Sequence, residues 1–290
     1  MPTNHAWLSS LGQPMGRQRA AIAALMTFCE TSTTVSSLSV GCSIGRGAAD
    51  ELSDVDAAIG VTAPRGAAGA RHLAQVEEEL VDVLQGWGNL VDVLRTGTQD
   101  SDFAIRKLFA QYDDRLQLDL AIIAETEVRR GEGAPDFVPL YWHGEAPATT
   151  SGPSAYDVSA ERLREWAFLG WRTLLDADKY LRRGSVWEAH QRLHEVRELI
   201  WMLWAAARGT TYPWHGMSQV LDDCPDQLPP GVEATVAGLD TTDLRHAISA
   251  AAEVLSRCSA DAAAAHDTSM PSGMARYALE TLGRPLANQP

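Results

Sequence analysis

The sequence predicts an α+β protein with two domains: an N-terminal mixed β-sheet flanked by helices, followed by an all-α helical bundle. Short apolar segments of strand length alternate with helical ones up to about residue 124. A segment rich in Gly, Pro, Ala and Thr then follows at 131–153 without a regular period. Beyond about residue 159, long amphipathic helical patterns take over. We therefore expect domains at 1–150 and 151–290.

The first domain is predicted to open as helix, strand, Gly-rich turn and strand. Helical periodicity covers 15–30, 68–86 and a shorter stretch near 102–111. Strands are predicted at 36–43, 54–61, 90–95 and 116–124. This order predicts a mixed sheet covered by helices.

The second domain is predicted to contain helices at 159–182, 185–208, 241–265 and 272–283. Tryptophans cluster in this half at spacings suited to a seam between helices: Trp166, Trp171, Trp187, Trp201, Trp204 and Trp214. Large aromatic side chains at such positions favour a role in the core over ligand stacking.

Composition narrows the classes of function. Of the 290 residues, 45% are apolar and 21% charged, which is typical of folded globular proteins, and no apolar run is long enough to span a membrane. The net charge of −14 and the presence of only two lysines argue against a nucleic-acid polymer as partner. The acidic surface suits a cationic small molecule, although it also serves solubility. Four scattered cysteines predict a reducing, cytoplasmic location.

One segment indicates a specific chemistry, because a Gly-rich turn after a predicted strand is followed closely by two carboxylates. The turn offers backbone N–H groups that can face an anion. Asp54 and Asp56 fall on the same side of an extended strand and invite a divalent cation. Phosphates and Mg²⁺ are therefore expected to meet there. The segment comprises Val40, Gly41, Cys42, Ser43, Ile44, Gly45, Arg46 and Gly47, then Ser53, Asp54, Val55 and Asp56.

Two other motifs compete for this turn. The pattern Gly41-x-Ser43-x-Gly45 matches the nucleophile elbow of serine hydrolases, which needs a helix directly after the serine. The glycines and the strand that follow are expected to leave no room for that helix. A hydrolase would also need a later histidine, such as His246 or His266, and neither stands in a recognisable motif. A Walker A loop is excluded because no GK[ST] follows.

The spacing resembles the nucleotidyltransferase superfamily, which includes DNA polymerase β and the antibiotic nucleotidyltransferases. The family pattern is hydrophobic-Gly-Ser, then Arg-Gly, then Ser-Asp-hydrophobic-Asp. Cys42 occupies a position that is usually Gly in that pattern. The matching residues are Ser43, Arg46, Gly47, Ser53, Asp54 and Asp56.

The resemblance implies a third carboxylate on a later strand, joining Asp54 and Asp56 as a catalytic residue and metal ligand. Asp119 lies inside the apolar run 118–123 and is the preferred candidate. An unpaired Asp buried in a central strand costs several kcal/mol, so its presence indicates a partner such as a metal ion. Asp92, inside another apolar run, is the alternative.

The helical half resembles the second domain of aminoglycoside nucleotidyltransferases. The resemblance implies a basic residue that reaches the triphosphate, for which Lys179 and Arg183 are the candidates, and a glutamate near the cleft as catalytic base. The sequence does not choose among Glu188, Glu195 and Glu198. His190 and His194 lie one helical turn apart, but without a third ligand they do not predict a zinc site.

Together these resemblances imply a Mg²⁺-dependent enzyme that moves a nucleoside monophosphate, expected to be AMP from ATP, to a hydroxyl of a small acceptor. Ser43 and Arg46 would position the triphosphate, and Asp119 would take the hydroxyl proton, alone or with a glutamate. An aminoglycoside-like antibiotic is the expected acceptor, bound between the two domains, which implies a role in antibiotic resistance. The alternatives are an antitoxin-type nucleotidyltransferase that modifies a partner protein, a serine hydrolase using Ser43, and a catalytically silent binding module.

Overall fold

The computed structural model describes residues 4–64, 66–100, 103–124, 136–143 and 157–283. The chain divides into two compact units, Met1–Ala155 and Tyr156–Pro290. The domain boundary predicted at 150/151 lies outside the described residues. None of the described helices combines the length and the apolar character needed to cross a membrane.

Unit 1 is an α+β structure, as the sequence predicts. Its helices are α1 (His5–Ser10), α2 (Gly16–Thr31), α3 (Cys42–Arg46) and α4 (Ala67–Trp87), with a 3₁₀ turn at Gln13–Met15. Its strands are β1 (Val35–Val40), β2 (Val55–Val61), β3 (Leu90–Asp100), β4 (Phe103–Tyr112), β5 (Gln117–Ala124) and β6 (Val138–Trp142).

The strands form one mixed sheet in the order β3-β4-β5-β2-β1-β6. Strands β2 and β5 are parallel, and the other neighbouring pairs are antiparallel. This places β2 and β5 side by side at the centre, with β3 and β6 at the edges.

One face of the sheet packs against helices α2 and α4, and the polar residues of β2 and β5 lie on the other face. Val55, Ala57 and Ile59 of β2 are buried, and so are the alternate residues of β5. They pack with apolar residues of α2 and α4, such as Ile22 and Leu80, into one core. Because side chains alternate along a strand, the intervening residues of β2 and β5 lie on the opposite face.

Two predictions for this unit are wrong. The helix predicted near 102–111 is strand β4, whose alternate residues Leu108, Ala110 and Tyr112 are buried against the core. Pairing with strands on both sides overrides the local helical preference. Strand β6 lies in the segment predicted to lack a regular period. Among the described strands it pairs with β1 alone, and such an edge position tolerates Pro139 within the strand.

Unit 2 is all α, as predicted. Its helices are α5 (Ala160–Arg182), α6 (Val186–Ala207), α7 (Met217–Asp223), α8 (Thr241–Ala265) and α9 (Ser272–Leu282), with 3₁₀ turns at Pro213–His215 and Val232–Thr235. Helices α5, α6 and α8 pack around a common apolar core. Trp166, Trp171 and Trp204 are buried there as predicted, whereas Trp187 is 73% exposed.

Candidate functional site

Three of the predicted carboxylates meet on the open face of the central strands. Asp56 of β2 and Asp119 of β5 are register partners in the parallel pair. Asp54 precedes β2 by one residue and falls on the same side as Asp56. All three are partly buried. The structure therefore places Asp119 beside the acidic pair, where the sequence could only suggest it.

The electrostatics of Asp56 reflect this crowding. The pKa of Asp56 is raised from an ordinary value of 3.8 to about 6, and burial is the largest cause. The negative charges of Asp54, Asp119 and Asp136 also raise this pKa, while a hydrogen bond from the Cys42 thiol opposes the change. A carboxyl group whose pKa is raised in this way would release any bound proton when a cation binds.

The alternative candidate Asp92 lies far from this arrangement in the sheet. It is exposed on β3, an edge strand, beside an irregularity in the pairing with β4. Its Oδ1 accepts a hydrogen bond from the backbone N–H of Val93 at 2.8 Å. Two strands, β4 and β5, separate it from Asp56. This geometry favours Asp119 over Asp92 as the third carboxylate.

The Gly-rich turn contains a short helix that the sequence analysis did not predict. Helix α3 begins at Cys42, directly after β1 and Gly41, and includes Ser43. The expectation that no helix could follow the serine is therefore wrong. Cys42 has a φ of 52°, in the left-handed region that a side chain disfavours. A glycine at this position would carry no such strain.

Two glycines of the turn are needed for packing. A Cβ on Gly45 would lie 1.8 Å from the carbonyl oxygen of Asp136, and one on Gly41 would lie 2.3 Å from the ring of Phe137. The chain just before β6 thus presses directly against α3. The sequence analysis had assigned the turn's glycines to the approach of a phosphate.

Asp136 is a site residue that the sequence analysis missed. Its side chain is 3% exposed, and its Oδ2 accepts a hydrogen bond from Nη1 of Arg46 at 3.0 Å. An ion pair of this kind offsets the desolvation of a buried carboxylate. Arg46, predicted to bind the triphosphate, is thus already engaged with Asp136. The only signal in the sequence is an acid directly before the apolar run 137–142.

The loop that leads into Asp54 is held by two polar side chains. Buried Gln18 of α2 donates to the carbonyl oxygens of Glu51 and Ser53, at 3.0 and 2.9 Å. The Ser53 hydroxyl accepts from the backbone N–H of Asp50 at 2.9 Å and donates to its Oδ1 at 3.2 Å. Ser53 of the motif therefore shapes the loop that carries Asp54.

The residues predicted in the helical half lie in unit 2. Lys179 pairs with Asp176 and lies 4.8 Å from the ring centroid of Tyr180. Arg183 is exposed at the end of α5. Of the candidate glutamates, Glu195 and Glu198 line a cavity of this unit, whereas Glu188 is exposed near the start of α6.

The donor set on unit 1 suits a hard divalent cation, since carboxylate oxygens are the ligands that Mg²⁺ prefers. Within the described ranges, however, no three or more His, Cys, Asp or Glu side chains are arranged so that they could hold a metal ion on their own. Mg²⁺ is commonly held by one or two carboxylates together with substrate phosphates. Asp54 and Asp56 fit that mode. The role of Asp119 as a third metal ligand stays a prediction.

Comparison with known proteins gives distant likenesses. No protein-family model matches the sequence, and no match was found among curated proteins. The chain is similar to the crystal structure of an aminoglycoside 6-adenyltransferase from Bacillus subtilis, with 11% identity, a TM-score of 0.39, and coverage of 91% of this chain and 97% of that one. It is also similar to a nucleotidyltransferase-like protein from Exiguobacterium sibiricum, with 11% identity, a TM-score of 0.37, and coverage of 86% and 78%. Likenesses this distant support no conclusion about activity or substrate.

Proposed function

We propose that this chain is a nucleotidyltransferase that uses a divalent cation to move a nucleoside monophosphate, AMP from ATP, to a hydroxyl of a small acceptor. The observation that carries the proposal is the meeting of Asp54, Asp56 and Asp119 on one face of β2 and β5. These carboxylates follow the Ser43 turn at the spacing of the superfamily that the motif resembles. The resemblance and the geometry point to the same residues.

The roles of the residues follow from their chemistry. Asp54 and Asp56 would hold Mg²⁺, which neutralises phosphate charge when it is bound. The acceptor hydroxyl attacks the α-phosphorus, the bond from that phosphorus to the β-phosphate oxygen breaks, and pyrophosphate leaves. Asp119 is placed to take the hydroxyl proton. Positioning and electrostatics supply most of the rate in reactions of this type.

The acceptor is proposed to be cationic. The net charge of −14 and the acidic cluster around Asp56 favour positively charged ligands, and an aminoglycoside-like antibiotic has that character. A role in antibiotic resistance follows if such a compound is the acceptor. All four cysteines are free, which suits the reducing cytoplasm as the proposed location.

A serine hydrolase is a second candidate, because α3 begins one residue before Ser43 and supplies the strand-to-helix turn that a nucleophile elbow requires. However, the strained φ belongs to Cys42, whereas in an elbow the serine itself sits on the strained turn. Among the described residues, no hydrogen bond joins the Ser43 hydroxyl to a histidine. A fluorophosphonate probe tests this candidate, since labelling that is lost in Ser43→Ala would support it.

The test of nucleotidyl transfer is the release of pyrophosphate from each nucleoside triphosphate, with Mg²⁺, across a panel of aminoglycosides and other hydroxylated compounds. At least one pair of substrates should give release that depends on the acceptor. Asp54→Asn and Asp56→Asn should each reduce this release by about 100-fold or more, since each removes a proposed metal ligand. The proposal fails if no pair gives acceptor-dependent release, or if both variants remain fully active.

A further inference from the structure

A cavity of about 610 Å³ lies within unit 2, in the size range of small-molecule sites. Residues of α5, α6, α7 and the preceding 3₁₀ turn form its lining. His194, Glu198 and Trp201 follow one another at intervals of four and three residues, and Met202 follows Glu198 by four, spacings that place side chains on one face of a helix. That face of α6 is therefore the floor of the cavity.

Aromatic and apolar side chains make up much of the wall. Trp201 and Trp214 are only partly buried, and Met217 is 51% exposed. Trp214 is fixed by edge contacts, with its ring centroid 5.4 Å from that of Tyr212 and 6.0 Å from that of His215. The wall thus offers rigid aromatic surface that can cover a ligand.

A glycine brings the two sides of the cavity together. Gly216 has a φ of 54°, and a Cβ there would lie 3.2 Å from the Cβ of Trp201. A side chain at this position would crowd Trp201 and strain the backbone, so glycine favours the close approach of the turn before α7 to α6. The close approach holds Trp214 and Met217 over the floor.

The charges of the lining select the ligand. The guanidinium of Arg197 donates to the backbone carbonyl oxygen of Thr235 at 2.7 Å and keeps its positive charge, which the Glu198 carboxylate partly balances. Glu195 is paired with Arg192 at 2.7 Å. The Glu198 carboxylate lies 3.6 Å from Nε2 of His194, and its side chain is 62% exposed. Glu198 is therefore the more exposed of the two carboxylates in the lining and the one that a cationic ligand can reach.

We propose that this cavity binds an organic cation with an aromatic or apolar body, the charge facing Glu198 and the body packing against Trp201 and Trp214. Cations bind favourably over tryptophan faces, and a neighbouring carboxylate adds Coulombic attraction. The net charge of −14 favours a cation further. The site lies wholly within unit 2 and does not depend on nucleotidyl transfer for its existence.

The experiment is isothermal titration calorimetry of the full chain with benzyltrimethylammonium, compared with benzyl alcohol and benzoate, which share the ring but not the positive charge. Saturable binding of the cation is expected, with affinity about tenfold higher than for either comparator. The proposal is overturned if the cation does not saturate a site, if benzyl alcohol binds equally well, or if benzoate binds more tightly.

Two variants locate the site. Glu198→Gln should weaken binding of the cation about fivefold and leave that of benzyl alcohol unchanged, because it removes only charge. Glu253→Gln makes the same charge change on an exposed position of α8 outside the lining and should bind like wild type. Equal affinity in wild type and Glu198→Gln, or an equal loss in both variants, would refute the assignment. Circular dichroism verifies that each variant is folded.

Discussion

Replacing Asp56 with Asn should make the protein more stable, and the gain should depend on pH. The pKa of Asp56 is raised to about 6 in the folded protein from 3.8, so the folded state holds this proton more tightly than the unfolded state. Wild type therefore loses stability as the pH rises from about 4 through about 6, while the carboxyl group ionises in its acidic surroundings. Asn carries no charge at any pH, so the Asp56→Asn variant does not lose stability in this way.

The size of the effect follows from the two pKa values. The pKa rises from 3.8 to about 6, and each pKa unit corresponds to about 1.4 kcal/mol. The gain in the free energy of unfolding therefore has an upper limit of about 3 kcal/mol. The carboxyl group keeps part of its contact with solvent, which screens its neighbours and lowers the expected gain to about 1–2 kcal/mol. The gain should be full near pH 8 and fall towards zero near about pH 4.

The measurement is urea denaturation of wild type and Asp56→Asn in EDTA, at several pH values between about 4 and about 8. Asp92→Asn is the matched control, because Asp92 is exposed on β3, and its free energy of unfolding should follow that of wild type across the range. If Asp56→Asn is destabilised, or is stabilised equally at both ends of the range, the assigned electrostatics of the acidic cluster are wrong.

Asp119→Asn should lower Mg²⁺-dependent pyrophosphate release by about 100-fold or more, whereas Asp92→Asn should stay within about twofold of wild type, in a steady-state assay. Cys42→Gly should be more stable than Cys42→Ala by about 1 kcal/mol in urea denaturation, because only glycine relieves the strain at φ 52°. Gly45→Ala should lower the free energy of unfolding by about 2–3 kcal/mol, because its Cβ would overlap the carbonyl oxygen of Asp136.

These predictions have internal controls. Gly16→Ala introduces a Cβ that meets no atom within 4 Å and should not destabilise the protein, in contrast to Gly45→Ala. Equal activity losses in Asp119→Asn and Asp92→Asn would remove the distinction between the two acids. A Cys42→Ala variant more stable than Cys42→Gly, the usual order in helices, would show that residue 42 is not strained.

The helices and strands whose apolar residues recur at a clear interval could be predicted from the sequence. Helices α2 and α4 show a helical apolar repeat, and β2 and β5 are short apolar strands bounded by turns. Strand β4 was missed because Ala, Lys, Leu and Gln within it favour helix in isolation, and only pairing on both sides decides otherwise.

The candidate site was predictable where its residues are neighbours in sequence. Asp54 and Asp56 are two residues apart, so strand geometry alone puts them together. The placement of Asp119 beside them depends on the parallel pairing of β2 with β5, which one sequence does not reveal. Asp136 was not predicted, because it lies in a Gly- and Pro-rich segment. Its ion pair with Arg46 depends on the pairing of β6 with β1, which the sequence does not reveal.

The contact between α3 and the chain before β6 has a consequence for the order of folding. Arg46 and Asp136 are 90 positions apart, so a long loop must close before their ion pair can form. Contacts this distant in sequence are expected to form slowly. We expect the central strands to pair first, and the Ser43 turn to reach its final conformation only when β6 joins β1 at the edge of the sheet. Newly synthesised chains would therefore bring Asp56 and Asp119 together before Asp136 reaches Arg46 of the Ser43 turn.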